Sequence, residues 1–228
     1  MKYTKTIVCL ANSRKMSGRC IAGKEISEEG GGVWIRPVSK RSAGEISEYE
    51  RRFVNGDYPQ VLDIIRIPLI KHKPYSFQQE NHLIDDNYYW EKVGAVGWTD
   101  LHGFVDEVPD KIWINGYSSY CGENDRIPEN LANTLQSSLL LIQPDELSIH
   151  IFVEGADYTK GKRKVRAGFY LNGHQYKLAV TDPKVESEYL KKSDGIYNID
   201  ASRVYMCVSM GEPYQGYCYK LVASIIRR

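Results

Sequence analysis

No apolar run in this 228-residue chain approaches the ~18 residues that a helical membrane span needs, so no membrane segment is expected. Charge of one sign is also missing. Thirty Lys and Arg against 29 Asp and Glu leave a formal net charge of +1, which excludes a histone-like polycation but not a local basic patch. The five cysteines, Cys9, Cys20, Cys121, Cys207 and Cys218, include no C-x-x-C pair. Buried thiols in a reducing, cytoplasmic setting are therefore expected rather than a zinc site or a disulfide framework. His72, His82, His102, His150 and His174 include no H-x-x-x-H spacing, and no phosphate loop of the G-x-x-x-x-G-K-[ST] or G-x-G-x-x-G kind occurs, so neither metal nor cofactor is expected.

Among what is present, tyrosine stands out, with 17 residues in a chain that is 11% aromatic. At the N-terminus the apolar run Ile7-Val8-Cys9-Leu10 breaks into Asn12 to Arg19 before apolar character returns at Cys20-Ile21-Ala22. This pattern predicts a hairpin whose tip carries Arg14, Lys15 and Arg19. Arg offers a planar fork and Lys a point charge to an anion such as phosphate, while an ordinary solvated tip is the alternative. Gly30-Gly31-Gly32 predicts a tight reversal, and Val33 to Ser39 a third strand on which Trp34 and Arg36 share a face. That pair is either a stacking platform or a Trp on a core rim with Arg36 packed over it.

Farther along, Ile46 to Phe53 suits a short helix and Val61 to Ile70 a β-branched central strand. From His72 to Asn124 aromatics are scattered without period among Asn, Asp and Gly, which suggests a long folded insertion. A helix is expected over Glu129 to Ser137, capped by Asp125. The second half offers strands at Leu139 to Ile142 and Leu147 to Val153, then a basic run from Lys160 to Arg166. Two strands follow around the Asn172-Gly173 turn, then a helix from Val185 to Lys192, then strands at Arg203 to Ser209 and Tyr217 to Ile226. Counted from Leu147, about five strands with one helix between the third and fourth is the order of an OB barrel.

Five phrases then carry a family resemblance: Cys9 to Glu25 (CLANSRKMSGRCIAGKE), Trp34 to Ser39 (WIRPVS), Gly122 to Arg126 (GENDR), Tyr176 to Pro183 (YKLAVTDP) and Ser209 to Ile226 (SMGEPYQGYCYKLVASII). With them the chain resembles the dual OB-fold domain proteins of bacteria. The resemblance implies a mainly β fold of two consecutive OB-like five-stranded barrels and nucleic-acid binding in a defence or DNA-processing system. The expected division is 1–137 for the first barrel, with an aromatic insertion at about 72–124, and 138–228 for the second.

On this reading the protein is a non-enzymatic binder of DNA or RNA. Arg14, Lys15, Arg19 and Arg36 meet phosphate and Trp34 stacks on a base. Asn124 and Arg126 add polar contacts, and Lys162, Arg163 and Lys164 form a second basic element. Two alternatives stand beside it. One is an enzyme acting on a nucleotide or nucleic acid through Asp125, Asp182 or Cys20 in a pocket expected between the barrels, although capping and an Asx turn before Pro183 account for the two aspartates. The other is a module docking a protein partner through the aromatic stretch.

Overall fold

The computed structural model describes residues 2–27, 30–155 and 160–228, and the chain divides into two compact units. One comprises 1–105 with 136–139, the other 106–135 with 140–228.

In the first unit β1 (Tyr3–Lys15), β2 (Gly18–Ser27), β3 (Gly30–Val38), α1 (Glu48–Arg51), β4 (Asp63–His72), β5 (Asn81–Ile84) and β6 (Glu91–Ala95) follow in order. The sheet runs β1-β2-β3-β5-β4-β6, and β1 also pairs with β4, which closes β1 to β5 on themselves. β3 and β5 pair in parallel, and α1 lies between the third and fourth strands. Closure with this strand order is the OB barrel. Alternation builds its core: Ile7 and Cys9 of β1, Ile21 of β2, Ile35 of β3 and Ile65, Ile67 and Leu69 of β4 all point inward and are buried. Register shifts at Cys9/Ala11, Lys24/Ile26 and Ile64/Ile65 mark bulges, which let a sheet coil into a barrel. A capping box from Ser47 and Glu50 starts the short helix at the expected place.

Two expectations need correction here. The Gly30 triplet is the start of β3, not a reversal outside the sheet. A Cβ on Gly32 would sit 2.2 Å from the Glu25 carbonyl oxygen, so glycine serves the close approach of β2. The stretch 72–124 is likewise no separate insertion. It contains β5, the strand that completes the first barrel, and β6, which extends the sheet along β4; Phe77 and Trp90 are buried in this unit. Its last part lies in the second unit, where Ile112 enters the core.

The second unit contains β7 (Arg126–Pro128), α2 (Glu129–Ala132), β8 (Leu139–Ile142), β9 (Glu146–Glu154), β10 (Lys162–Leu171), β11 (His174–Val180), α3 (Pro183–Tyr189), β12 (Gly195–Ile199), β13 (Val204–Met210) and β14 (Tyr217–Arg227). Its sheet runs β12-β9-β10-β11-β14-β13-β8, with β7 paired to β14. β8 and β9 act as one first strand broken at Pro144, since β8 pairs with β13 and β9 with β10. β11 and β14 pair in parallel with α3 between the third strand and the fourth, so the OB pattern recurs. The Asn172-Gly173 turn has φ of 52° and 75°, as a type I′ hairpin requires. Asp182 caps α3 by accepting from the Lys184 and Val185 amides at 2.9 and 3.3 Å.

The helix expected over Glu129 to Ser137 is only Glu129–Ala132, and Asp125 does not cap it. The Asp125 carboxylate instead accepts from Ser119 N (2.7 Å), Ser119 Oγ (2.5 Å) and Arg166 Nη1 (3.2 Å). The three residues preceding Glu129 are drawn into β7 by pairing with Tyr217–Tyr219 of β14.

Candidate nucleic-acid interface

In the second barrel, β9, β10 and β11 lie side by side, and alternation sends Leu147, Ile149, Ile151, Val165, Ala167, Phe169, Tyr176 and Leu178 into the core. Their neighbours form an outer face whose composition follows from register. Glu146, Tyr170 and Gln175 stand in one row across the three strands. Ser148, Gly168 and Lys177 stand in the next, His150 with Arg166 in the third, and Phe152 with Lys164 in the fourth. Phe152 and Tyr170 are exposed large rings at opposite ends of these rows, and Lys164 is exposed beside Phe152.

Gly168 makes a depression in this face. A Cβ there would lie 2.6 Å from His150 Nε2, so the imidazole lies over the glycine. Ser148 Oγ donates to the Gly168 carbonyl (3.2 Å) and stands 2.9 Å from His150 Nε2, which fixes the ring. Burial, with the nearby Lys177 charge, lowers the His150 pKa below the ordinary imidazole value and favours the neutral ring. Two hollows flank it and share His150 and Lys177. One, of about 460 Å³, is bordered by Glu146, Tyr170, Gln175 and Asn198. The other, of about 290 Å³, is bordered by Tyr120, Cys121, Phe152, Lys164 and Arg166. Tyr120 is 89% exposed.

The loop that brings Tyr120 to this face is tied down by ionic bonds. Arg166 grips Glu154 through Nε (2.6 Å) and Nη2 (3.1 Å) and reaches Asp125 through Nη1. Asn124 Nδ2 donates to the Gln175 carbonyl (3.0 Å), and its Oδ1 accepts from Gly116 N (2.7 Å). Asn124 is thus engaged in holding its loop. Arg163 is similarly engaged, donating to Asp194 Oδ1 and to the Leu190 and Lys192 carbonyls. The Arg126 guanidinium stacks 4.1 Å from the Tyr217 ring centroid, away from the rows just described and on β7. Lys162 is exposed at the start of β10.

In the first barrel, register sets Arg14 opposite Arg19 and Lys15 opposite Gly18, so the three cations stand at one hairpin tip, Arg14 and Arg19 on one face and Lys15 on the other. Arg19 is also bridged to Ile46 through both backbone groups (2.9 and 2.8 Å). Trp34 lies half-buried with the Lys24 ammonium 5.4 Å from its ring centroid. Arg36 is elsewhere: 3% exposed, it lies 3.2 Å from Glu80, which also accepts from Ser138 Oγ. Its guanidinium is spent inside the unit.

Of the residues considered for catalysis, Asp125 and Asp182 are held in the structural bonds described above, and Cys20 is a half-buried strand residue whose carbonyl accepts from Ser13. Asp182 further receives the Ile225 amide at 3.2 Å. Among the described residues no three His, Cys, Asp or Glu side chains gather as metal ligands, and no helix is long and apolar enough to cross a membrane.

His150, Phe152, Tyr170, Lys177 and Tyr120 were not picked out from the sequence. The alternation in Leu147 to Val153 already sets Ser148, His150 and Phe152 opposite the apolar set, and the Asn-Gly turn fixes Tyr170 against Gln175. What needed coordinates was the arrival of Tyr120 from a distant loop.

Two closed five-stranded barrels of OB order, one after the other, define a dual OB protein. The family model for the dual OB-containing domain matches residues 5–225, and the chain belongs to that family. No curated protein and no solved structure gave a match.

Proposed function

We propose that the protein binds single-stranded nucleic acid, chiefly on the outer face of β9, β10 and β11. The carrying observation is that cross-strand register gathers Tyr170, His150, Phe152, Lys164 and Lys177 on one face of an OB barrel, around two hollows. Unpaired bases offer flat faces to aromatic rings, and the backbone offers phosphates to cations; a stack is worth ~1–3 kcal/mol per base. OB barrels present their second and third strands for such ligands. The cationic tip of the first barrel, Arg14, Lys15 and Arg19, is a second contact in this reading. Arg36 has no part in it, because withdrawing the guanidinium from Glu80 would strand a buried carboxylate.

Fluorescence anisotropy with labelled ten-nucleotide DNA and RNA strands tests the reading. Binding is expected at low salt, with log affinity falling linearly as log salt rises. The double variant Lys164→Gln/Lys177→Gln will flatten that slope by about 0.7 for each phosphate it no longer neutralises. Phe152→Ala and Tyr170→Ala will each weaken binding without changing the slope. Absence of binding at low salt, or binding indifferent to salt, rejects the proposal.

A further variant probes the depression. Gly168→Val sets a branched side chain where the His150 ring lies, so it expels the imidazole and fills both hollows at their join. Affinity is expected to drop at least tenfold, about 1.4 kcal/mol, while Lys164 and Lys177 remain. Retained affinity in a folded Gly168→Val protein would remove the hollows from the site.

A further inference from the structure

The larger hollow has a chemical asymmetry that reaches beyond general strand binding. Its outer row sets the Glu146 carboxylate, the Tyr170 ring and the Gln175 amide across three adjacent strands, all pointing outward. Neighbouring strands are about 4.8 Å apart, so carboxylate and amide flank the ring with about 10 Å between their strands, room for a flat base on the ring. Lys177 stands one row farther along on the same strand as Gln175. The hollow's volume of about 460 Å³ falls in the range of small-molecule pockets.

The four bases meet a carboxylate differently. Guanine alone has two adjacent donors on its pairing edge, N1–H and the N2 amino group, and a carboxylate accepts both at once. Adenine and cytosine pair one amino donor with a ring-nitrogen acceptor, which suits an amide and repels a carboxylate. Thymine and uracil flank their single N3–H with two carbonyl oxygens. With its pairing edge on Glu146, a guanine would turn O6 and N7 toward the Gln175 amide and Lys177, donors that match two acceptors. The same negative charge keeps phosphate out of this end. The backbone is thereby directed to the neighbouring hollow, where Lys164 stands with Phe152.

Resting on the proposed strand binding, we infer that the hollow over Tyr170 is a base subsite selective for guanine, with Glu146 as the residue that sets the selectivity.

The test uses the whole chain and fluorescein-labelled nonathymidylate strands carrying one central dG, deoxyinosine, dA or dC. A single guanine precludes quadruplex formation. The dG strand is expected to bind about tenfold more tightly than the dA and dC strands, because a bidentate contact discriminates against the bases that cannot make it. Deoxyinosine, which keeps N1–H and lacks the amino group, is expected in between. In Glu146→Gln the ratio of dG to dA affinity will fall to about one, whatever the absolute affinities become. Salt-dependent but equal binding of the four strands overturns the inference and leaves strand binding standing. A dG preference that survives Glu146→Gln also overturns it. No binding to any strand at low salt overturns both.

Discussion

Glu80→Ala will lower the melting temperature of the first barrel by about 10 °C or more, the consequence of leaving a buried arginine without its counter-charge. Arg36 is 3% exposed and Glu80 7% exposed, and their nearest atoms are 3.2 Å apart. Arg36 also donates to Asn81 Oδ1 at 3.4 Å, and its backbone N–H donates to the Glu80 carbonyl at 2.7 Å. The Arg36 Nε is buried and has no acceptor among the described residues, so no spare partner stands there to take up the released charge. Breaking one side of such a pair costs about 3–5 kcal/mol, whereas replacing both sides by apolar residues is often close to neutral. Arg36→Met/Glu80→Leu is therefore expected to recover most of the loss. Tryptophan fluorescence is a suitable probe, because Trp34, Trp90 and Trp98 all lie in the first unit. A Glu80→Ala protein melting within 2–3 °C of the parent would mean that the pair contributes little.

Stability of the second barrel should rise between pH 7 and pH 8.5, and Lys220 is the reason. This β14 lysine is 1% exposed, and its Nζ donates to the Ile114 carbonyl (2.7 Å) and Asn115 Oδ1 (3.0 Å). Burial lowers its pKa to about 7, with the Asp125 charge pulling the other way. Below pH 7 the ammonium is charged in both the folded and unfolded chain, and the full burial penalty is present. Above pH 7 the folded lysine is increasingly neutral while the unfolded one stays protonated up to its ordinary 10.5. The unfolded chain then holds more protons, so stability climbs, by between about 1 and 2 kcal/mol over this window.

Other groups act outside that window. Burial chiefly, with His72 and Lys5, lowers His82 to about 4, so its contribution grows between about pH 4 and 6.5 and is then complete. Burial pushes the Cys218 thiol up to about 11, an effect of opposite sign that begins where unfolded thiols ionise, near pH 8.5. Urea unfolding at half-unit steps from pH 7 to 8.5 checks the slope, and Lys220→Met should abolish it. A slope unchanged in Lys220→Met would assign it to another group.

Local pattern carried much of this architecture. Apolar runs and alternation marked the strands from Leu139 onward except β12, and Asn172-Gly173 marked their hairpin, while α3 starts at Pro183, two residues before the expected Val185. Each such mark rests on neighbours in the chain, which is why it was legible. The misreadings share one cause. Asn81–Ile84 is too short for its period to show, and it is a strand because β3 and β4 supply partners on both edges. Asp125 looks like a cap beside Pro128, yet its carboxylate is drawn 41 positions along the chain to Arg166. Arg36 looks like a surface cation on a strand, and only the fold brings Glu80 against it.

The order of apolar and polar residues by itself determined the OB strand order of the second half and which side of each of its expected strands faces inward, because burial acts on a period of two whatever the strand's neighbours are; the first barrel was implied only by the family resemblance. Tertiary structure alone decided which outward residues stand together. Register put Glu146 beside Tyr170 and Lys177 beside Gly168, and the Asp125–Arg166 bond brought Tyr120 to the same face. Such neighbours are joined through hydrogen bonds between distant segments, whose partners no local pattern specifies.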